Sequence, residues 1–191
     1  MSDVRSYIDG LCALLQRLPV DDIQRVIELL LHACTSGHAV YIMGNGGSAA
    51  TASHMANDLS KGTFVPGAPR FKAISLSDNI PLITAWANDK DYASIFYEQL
   101  FPLVQSGDVV IGISGSGNSE NVLRAIRLAR EKGATTIGFT GYNGGKLAYL
   151  VDINVLASGA EMEMAEDIHM VLDHLVCSTL RGSLKEQVAS E

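Results

Sequence analysis

Two runs of serine and glycine, each placed directly after a strand-like run, carry the residue types best suited to chemistry. The first is MGNGGSAA, residues 43–50, following AVYI; the second is SGSGNSEN, residues 114–121, following VVIGI. Both lead into sequence that reads as helix. Small residues opening a helix leave backbone N–H groups free, add hydroxyls and bring the positive end of a helix dipole to one point. That combination suits an anion, most often phosphate. Gly46, Gly47 and Ser48 in the first loop and Ser114, Ser116 and Ser119 in the second are the candidate ligands. Three hydroxyls with neighbouring N–H groups match the three terminal oxygens of a phosphate monoester without Arg or Lys. A helix cap alone accounts for Ser119 or Asn118, though not for three serines. The first loop also satisfies G-x-G-x-x-A at Gly44, Gly46 and Ala49, a dinucleotide signature. No acidic residue ends the second strand at the spacing that reading needs, since Asp78 comes later, beyond Ser75 and Ser77.

Two helical constellations hold groups able to bind a metal or move a proton. His54 and Asp58 stand four residues apart after the first loop and share a face. Glu166, Met170 and His174 form a ridge at the same spacing on the last helix, with Glu166 and His174 about 12 Å apart in rise. Two His and two carboxylates suit Zn²⁺ or a related divalent ion. The spacing fits a solvated surface pair as well, so it leaves the metal open.

These groups need a frame. Residues 3–36 carry helical periodicity and read as two amphipathic helices, separated by the turn at Leu18–Pro19. Strands are expected at 39–43, 71–76, 108–113, 135–140 and 152–157. Helices are expected at 47–60, 80–89, 91–104, 118–133, 146–150 and 161–184. Strands separated by helices imply an α/β fold, a doubly wound parallel sheet covered on both faces. Ligands then bind outside the carboxyl ends of the strands, where both loops lie. The whole chain, 1–191, reads as one domain: a helical pair at 1–36 for contacts between copies, and an α/β core at 37–191.

Composition narrows the partners. A net charge of −7 with 18% charged residues argues against a nucleic-acid backbone, which needs a basic face. No apolar run is long enough for a membrane span, and the N-terminus lacks the regions of a secretory signal. Cys12, Cys34 and Cys177 are odd in number and widely spaced, and read as buried reduced thiols. The expected location is the cytoplasm.

MGNGGSAATASHMAND, SGSGNSENVLRAIRLAREKGA, GFTGYNGGKLA and EDIHMVLDHLVC together resemble the sugar isomerase (SIS) domain proteins, over roughly residues 20–180. Within these the chain resembles the phosphoheptose isomerases. The resemblance implies a flavodoxin-like fold and an aldose–ketose isomerase acting on sedoheptulose 7-phosphate through a cis-enediol. It implies Asp58 as base and His174 as acid; Glu166, which replaces a Gln of the family, is an alternative catalytic base. It implies a divalent ion, zinc by analogy, on His54, Asp58, Glu166 and His174. It implies phosphate on Ser48, Ser114, Ser116 and Ser119, with Asn45 and Asp89 near the sugar. It also implies a homotetramer with the N-terminal helices in its core and active sites between subunits. Three places depart from the pattern: Asp58 stands where the family has Glu, Glu166 where it has Gln, and the loop at Lys61, Gly62 and Thr63 differs around the usual basic residue near the sugar, for which Lys61 is the substitute. Another phosphosugar substrate therefore stays open. So does a non-catalytic member of the family, an adaptor for a replication initiator or a sugar-phosphate sensor. Either would need the loops without the His–carboxylate pairs.

Overall fold

Five apolar runs form five parallel strands: β1 (Ala39–Gly44), β2 (Lys72–Ser75), β3 (Val109–Ser114), β4 (Thr135–Tyr142) and β5 (Ile153–Ser158). The computed structural model describes residues 3–190. Strand order is β2-β1-β3-β4-β5, the flavodoxin-like arrangement. β1, β3 and β4 are buried along most of their length, and β1 and β3 accordingly read as near-continuous apolar runs rather than alternating ones. The winding direction reverses between β1 and β3, which pair from Val40↔Val109 to Gly44↔Ile113. A crevice opens at the carboxyl ends of such a pair.

Among the described residues eight α-helices complete the layers: α1 (Val4–Leu15), α2 (Val20–Ser36), α3 (Gly47–Asn57), α4 (Ile80–Asp89), α5 (Ile95–Leu100), α6 (Glu120–Glu131), α7 (Leu147–Leu150) and α8 (Met162–Ser190). On one face Val26, Leu30, Met55, Leu172 and Leu180 of α2, α3 and α8 pack on Ile111 and Phe139. On the other, Phe96, Leu100, Leu123 and Ile126 of α5 and α6 pack on Tyr41 and Val110. Alternate residues of one strand thus serve opposite layers, as the period of two requires. Among the described residues no helix is long and apolar enough to cross a membrane.

Local chemistry bounds the N-terminal helices. Asp3 caps α1, its Oδ1 accepting from the Ser6 N–H at 2.7 Å. Gly37, in the left-handed region at φ 74°, closes α2. Three elements differ from the expected spans by more than two residues at an end. The helix expected at 47–60 stops at Asn57 and continues as a π-helical turn over Asp58–Gly62. There the Thr63 N–H reaches back five residues to the Asp58 carbonyl at 2.9 Å. The run expected at 91–104 becomes a 3₁₀ turn at Tyr92–Ser94 and the short α5. Pro102 lacks the N–H a longer helix needs. The last helix runs beyond 184, to Ser190. The N-terminal pair is unequal: α2 buries Val26, Leu30 and Ala33 in the main core, whereas α1 buries Leu14 and leaves Val4 and Ile8 exposed. Cys34 and Cys177 are buried free thiols, but Cys12 is exposed on α1, contrary to expectation. Among the described residues α1 packs mainly along α8, which leaves its other side without a covering layer.

Candidate functional site

Both Ser/Gly loops arrive at the β1/β3 crevice. They line one cleft of about 320 Å³ with Asn45, Gly46, Gly47, Ser48, Ser114, Ser116 and Ser119. Two features leave it ready for an anion. Gly46 precedes α3 at φ 56° and offers no capping side chain, so the first N–H groups of α3 lack an internal cap. Ser119 precedes α6 and also makes no capping hydrogen bond. Two helix N-termini with unsatisfied donors therefore face the same space. The Ser114 and Ser119 hydroxyls lie 3.2 Å apart. Gly117, at φ 63°, bends the second loop, and its N–H donates to Ser114 Oγ at 3.2 Å. The Asn118 N–H donates to Ser116 Oγ at 3.2 Å, closing a local turn.

Asn45 is held by a reciprocal amide pair with Asn121, at 2.9 and 2.8 Å, and its carbonyl oxygen also accepts from the Tyr92 hydroxyl at 2.9 Å. Neither Asn121 nor Tyr92 was expected at the site, and a motif reading has no signal for them. Asp89 sits at the end of α4, where its carboxylate accepts from Asn88 at 2.9 Å. The structure does not bring it into the cleft.

A second group lies two turns further along α3. His54 and His174 meet with their Nε2 atoms 3.1 Å apart, and Asp58 Oδ2 lies 3.6 Å from His54 Nε2. Two neutral imidazoles cannot both present a proton, or both a lone pair, across that gap without loss. A shared proton or a cation resolves it. His54, Asp58 and His174, three of the four expected ligands, are thus brought together. Glu166 is not with them. Its carboxyl group packs against Gly47, where an added Cβ would fall 2.4 Å from the carboxylate atoms. It lines the loop cleft instead. The fourth member of the cluster is Asp173: one ligand atom from each of His54, Asp58, Asp173 and His174 lies within 4.8 Å of the others. Nothing in the spacing identified Asp173, because its use depends on which face of α8 turns inward.

Fully buried beneath this cluster are Asp173 and His169, one helical turn apart on α8. Burial pushes the His169 imidazole down to about 4, weakly opposed by the Thr140 backbone. Burial pushes the Asp173 carboxyl up to about 6, opposed by the Cys177 thiol, assisted by Asp58 and offset by His54 and His174. The two act in opposite directions on metal-free protein. Below its unfolded value of 6.5, His169 binds a proton only on unfolding, so stability is lost as pH falls toward 4. Asp173 keeps its proton in the fold up to about 6, so its contribution is present at pH 4 and lost as pH rises through 6. Between pH 4 and 6 they largely cancel. Asp173→Asn leaves His169 alone, for which a shift of this size corresponds to about 3 kcal/mol. The expected result, in chelator, is a wild-type melting temperature nearly level from pH 6 to 4. The variant's falls by roughly 6–12 °C. Parallel curves for the two proteins contradict this.

Comparison with known proteins agrees with this fold. The family model described as the SIS domain matches residues 6–141. The phosphoheptose isomerase of Aquifex aeolicus is 38% identical over 162 residues, covering 85% of this chain and 84% of that protein. That of Thermodesulfovibrio yellowstonii is 37% identical over 169 residues, covering 88% and 84%. The solved structure of phosphoheptose isomerase from Neisseria gonorrhoeae superposes with a TM-score of 0.85 at 29% identity, covering 94% of this chain and 97% of that one. The Francisella tularensis enzyme gives 0.86 at 26% identity, covering 94% and 96%.

Proposed function

The chain belongs to the SIS domain family, among its phosphoheptose isomerases, and from that premise we propose that it interconverts sedoheptulose 7-phosphate and D-glycero-D-manno-heptose 7-phosphate. One observation carries the reading. Glu166 lies beside Gly47, and His174 beside His54, so α3 and α8 run side by side with the anion cradle at one end and the His–carboxylate cluster at the other. The rise from residue 47 to 54 is about 10 Å. An extended seven-carbon chain with a terminal phosphate also spans roughly 10 Å at ordinary bond lengths. A phosphate held by the loops thus places C1 and C2 at the cluster.

In the ketose-to-aldose direction Asp58 takes a proton from C1 and returns it to C2 of the cis-enediol. His174 moves the balancing proton between O1 and O2. A positioned carboxylate and imidazole suit these two tasks. Glu166, facing the cleft, is the second carboxylate in reach of the sugar. Ser48, Ser114, Ser116 and Ser119 hold the phosphate, and Asn45, fixed by Asn121 and Tyr92, faces the sugar hydroxyls. His54, Asp58 and His174 fit a divalent ion, with nitrogen and carboxylate donors suited to zinc. Such an ion would polarise the O1–O2 edge and favour the enediol.

The exposed Val4 and Ile8 of α1 and Val171 and Leu175 of α8 support a homotetramer assembled through these helices, with active sites near the subunit boundaries. The proposed location is the cytoplasm. The test is conversion of sedoheptulose 7-phosphate by purified protein, with and without chelator, the product read by NMR. Chelator-sensitive formation of the aldose is expected. Tight binding of the sugar phosphate without turnover overturns the catalytic reading in favour of a sensing or adaptor role.

A further inference from the structure

The His–carboxylate cluster has a second side. Along α3 and its π-helical turn, Gly47, His54 and Gly62 meet Glu166, His174 and Arg181 of α8 in the same order. The groove between the two elements therefore continues past the cluster, away from the Ser/Gly loops, into a further cleft of about 250 Å³. Asp58, His174 and Arg181 share its wall with Gly62 and Ser178. Arg181 stands seven residues after His174, two turns along one face and about 10 Å in rise. Helical side chains lean toward the N-terminus, which turns its guanidinium back toward His174. Nη1 donates to the Gly62 carbonyl at 3.4 Å. The Asp58 carboxyl group flanks the same glycine, 3.5 Å from where a Cβ would stand. Among the described residues Arg181 makes no other hydrogen bond from its side chain and enters no ion pair. A guanidinium carries five N–H donors, so most of them are unspent beside the cluster.

We propose that Arg181 binds O1 of the sugar phosphate and meets the negative charge that gathers there between enediol and aldose. The inference rests on the isomerase reading above and deepens it. With the phosphate in the loops and C1 and C2 at the cluster, O1 is the substrate atom that points on into the further cleft. That space is several times the roughly 30 Å³ of a water molecule, so it admits O1 together with solvent. In the second half of the reaction Asp58 gives its proton to C2, bound by the electron pair of the C1–C2 double bond. His174 takes the proton of the O1 hydroxyl, and the pair left on O1 closes the C1–O1 double bond. O1 is a neutral hydroxyl in the ketose and gains charge only along this step. A donor fixed at that oxygen is therefore stronger in the transition state than in the bound substrate. Lys61, the other cation on this stretch, is exposed and stands outside the cleft wall.

The test compares wild type, Arg181→Gln, Arg181→Lys and Lys61→Gln, all supplied with the same divalent ion. Arg181→Gln is expected to lower kcat by about 100-fold with KM within about threefold. Arg181→Lys keeps the charge without the planar fork and is expected to recover to within about tenfold of wild type. Lys61→Gln is expected to stay within about twofold. Calorimetry with two ligands separates charge at O1 from a mere brace on the π-helical turn. One is the hydroxamate of a six-carbon sugar acid phosphorylated at its far end, whose ionised oxygen stands in for O1. The other is the heptitol 7-phosphate, uncharged at that end. Arg181→Gln is expected to bind the hydroxamate about 100-fold more weakly and the heptitol within about threefold of wild type. Removing a cation beside the cluster does not loosen a metal ion held there, so metal loss does not imitate this result. Equal losses for the two ligands, or turnover within threefold of wild type in Arg181→Gln, overturn the proposal. A wild type that binds both ligands without converting sedoheptulose 7-phosphate overturns the isomerase reading, and the ligand contrast still decides Arg181. Hydroxamate affinity unchanged in Arg181→Gln then overturns both.

Discussion

Changing His174 to Gln is expected to lower kcat on sedoheptulose 7-phosphate by about 1,000-fold, within the range for loss of a general acid. Glutamine keeps roughly the length of the imidazole and one donor, but it cannot carry a proton between O1 and O2. The replacement also removes one of the two Nε2 atoms that converge at 3.1 Å, so the remaining His54 and carboxylates hold an ion less well. Assays at saturating metal separate these losses. A kcat restored by added metal assigns His174 to ion binding alone, whereas a defect that persists assigns it to proton transfer. KM is expected to stay within about threefold, because the phosphate is held two turns away. His174 is exposed on α8, so the variant should melt with the wild type. Activity within tenfold of wild type, in folded protein, removes His174 from the mechanism.

The second large effect belongs to the loops. Ser114→Ala combined with Ser119→Ala is expected to weaken sedoheptulose 7-phosphate binding by about 100-fold or more, since each hydrogen bond to a charged group contributes roughly 1.5–3 kcal/mol. These hydroxyls lie 3.2 Å apart at the mouth of α6, and Ser119 performs no capping duty whose loss would unsettle the helix. The effect should therefore fall on ligand affinity more than on stability. Calorimetry with the phosphorylated and unphosphorylated sugar isolates the phosphate contribution: only the former should lose affinity. Equal affinity of variant and wild type for the phosphorylated sugar places the phosphate elsewhere.

The chain's local chemistry was legible in its residues. Alternation of apolar runs with helical periodicity specified the parallel sheet, because strands buried on both faces and amphipathic helices carry different periods. The two Ser/Gly loops marked out the candidate anion site, since only small residues bring N–H groups that close to a ligand. The four-residue spacing of His54 and Asp58 placed them on one face without knowledge of anything else. Periodicity placed the helical pair within residues 3–36, and the cap at Asp3 and the left-handed Gly37 that bound it came from the structure. The π-helical turn at Asp58 was illegible, because DLSKG, which ends in a helix-terminating Gly, reads the same as an ordinary helix end.

What spacing along the chain could not reach was the pairing of one helix with another. The approach of His174 to His54, 120 residues away in sequence, depends on α8 lying against α3. The same crossing sets Glu166 over Gly47, a contact that exists only because that residue lacks a Cβ. It also turns Asp173 into the core beside Leu172 and Val176, where a carboxylate is out of place by composition and gains a role only from its neighbours. Residue types and periods act over one or two turns, and they determined the fold class, the loops and the candidate ligands. Which carboxylate meets the histidines is set by helix packing, a property of the whole core, and that choice belongs to the folded chain alone.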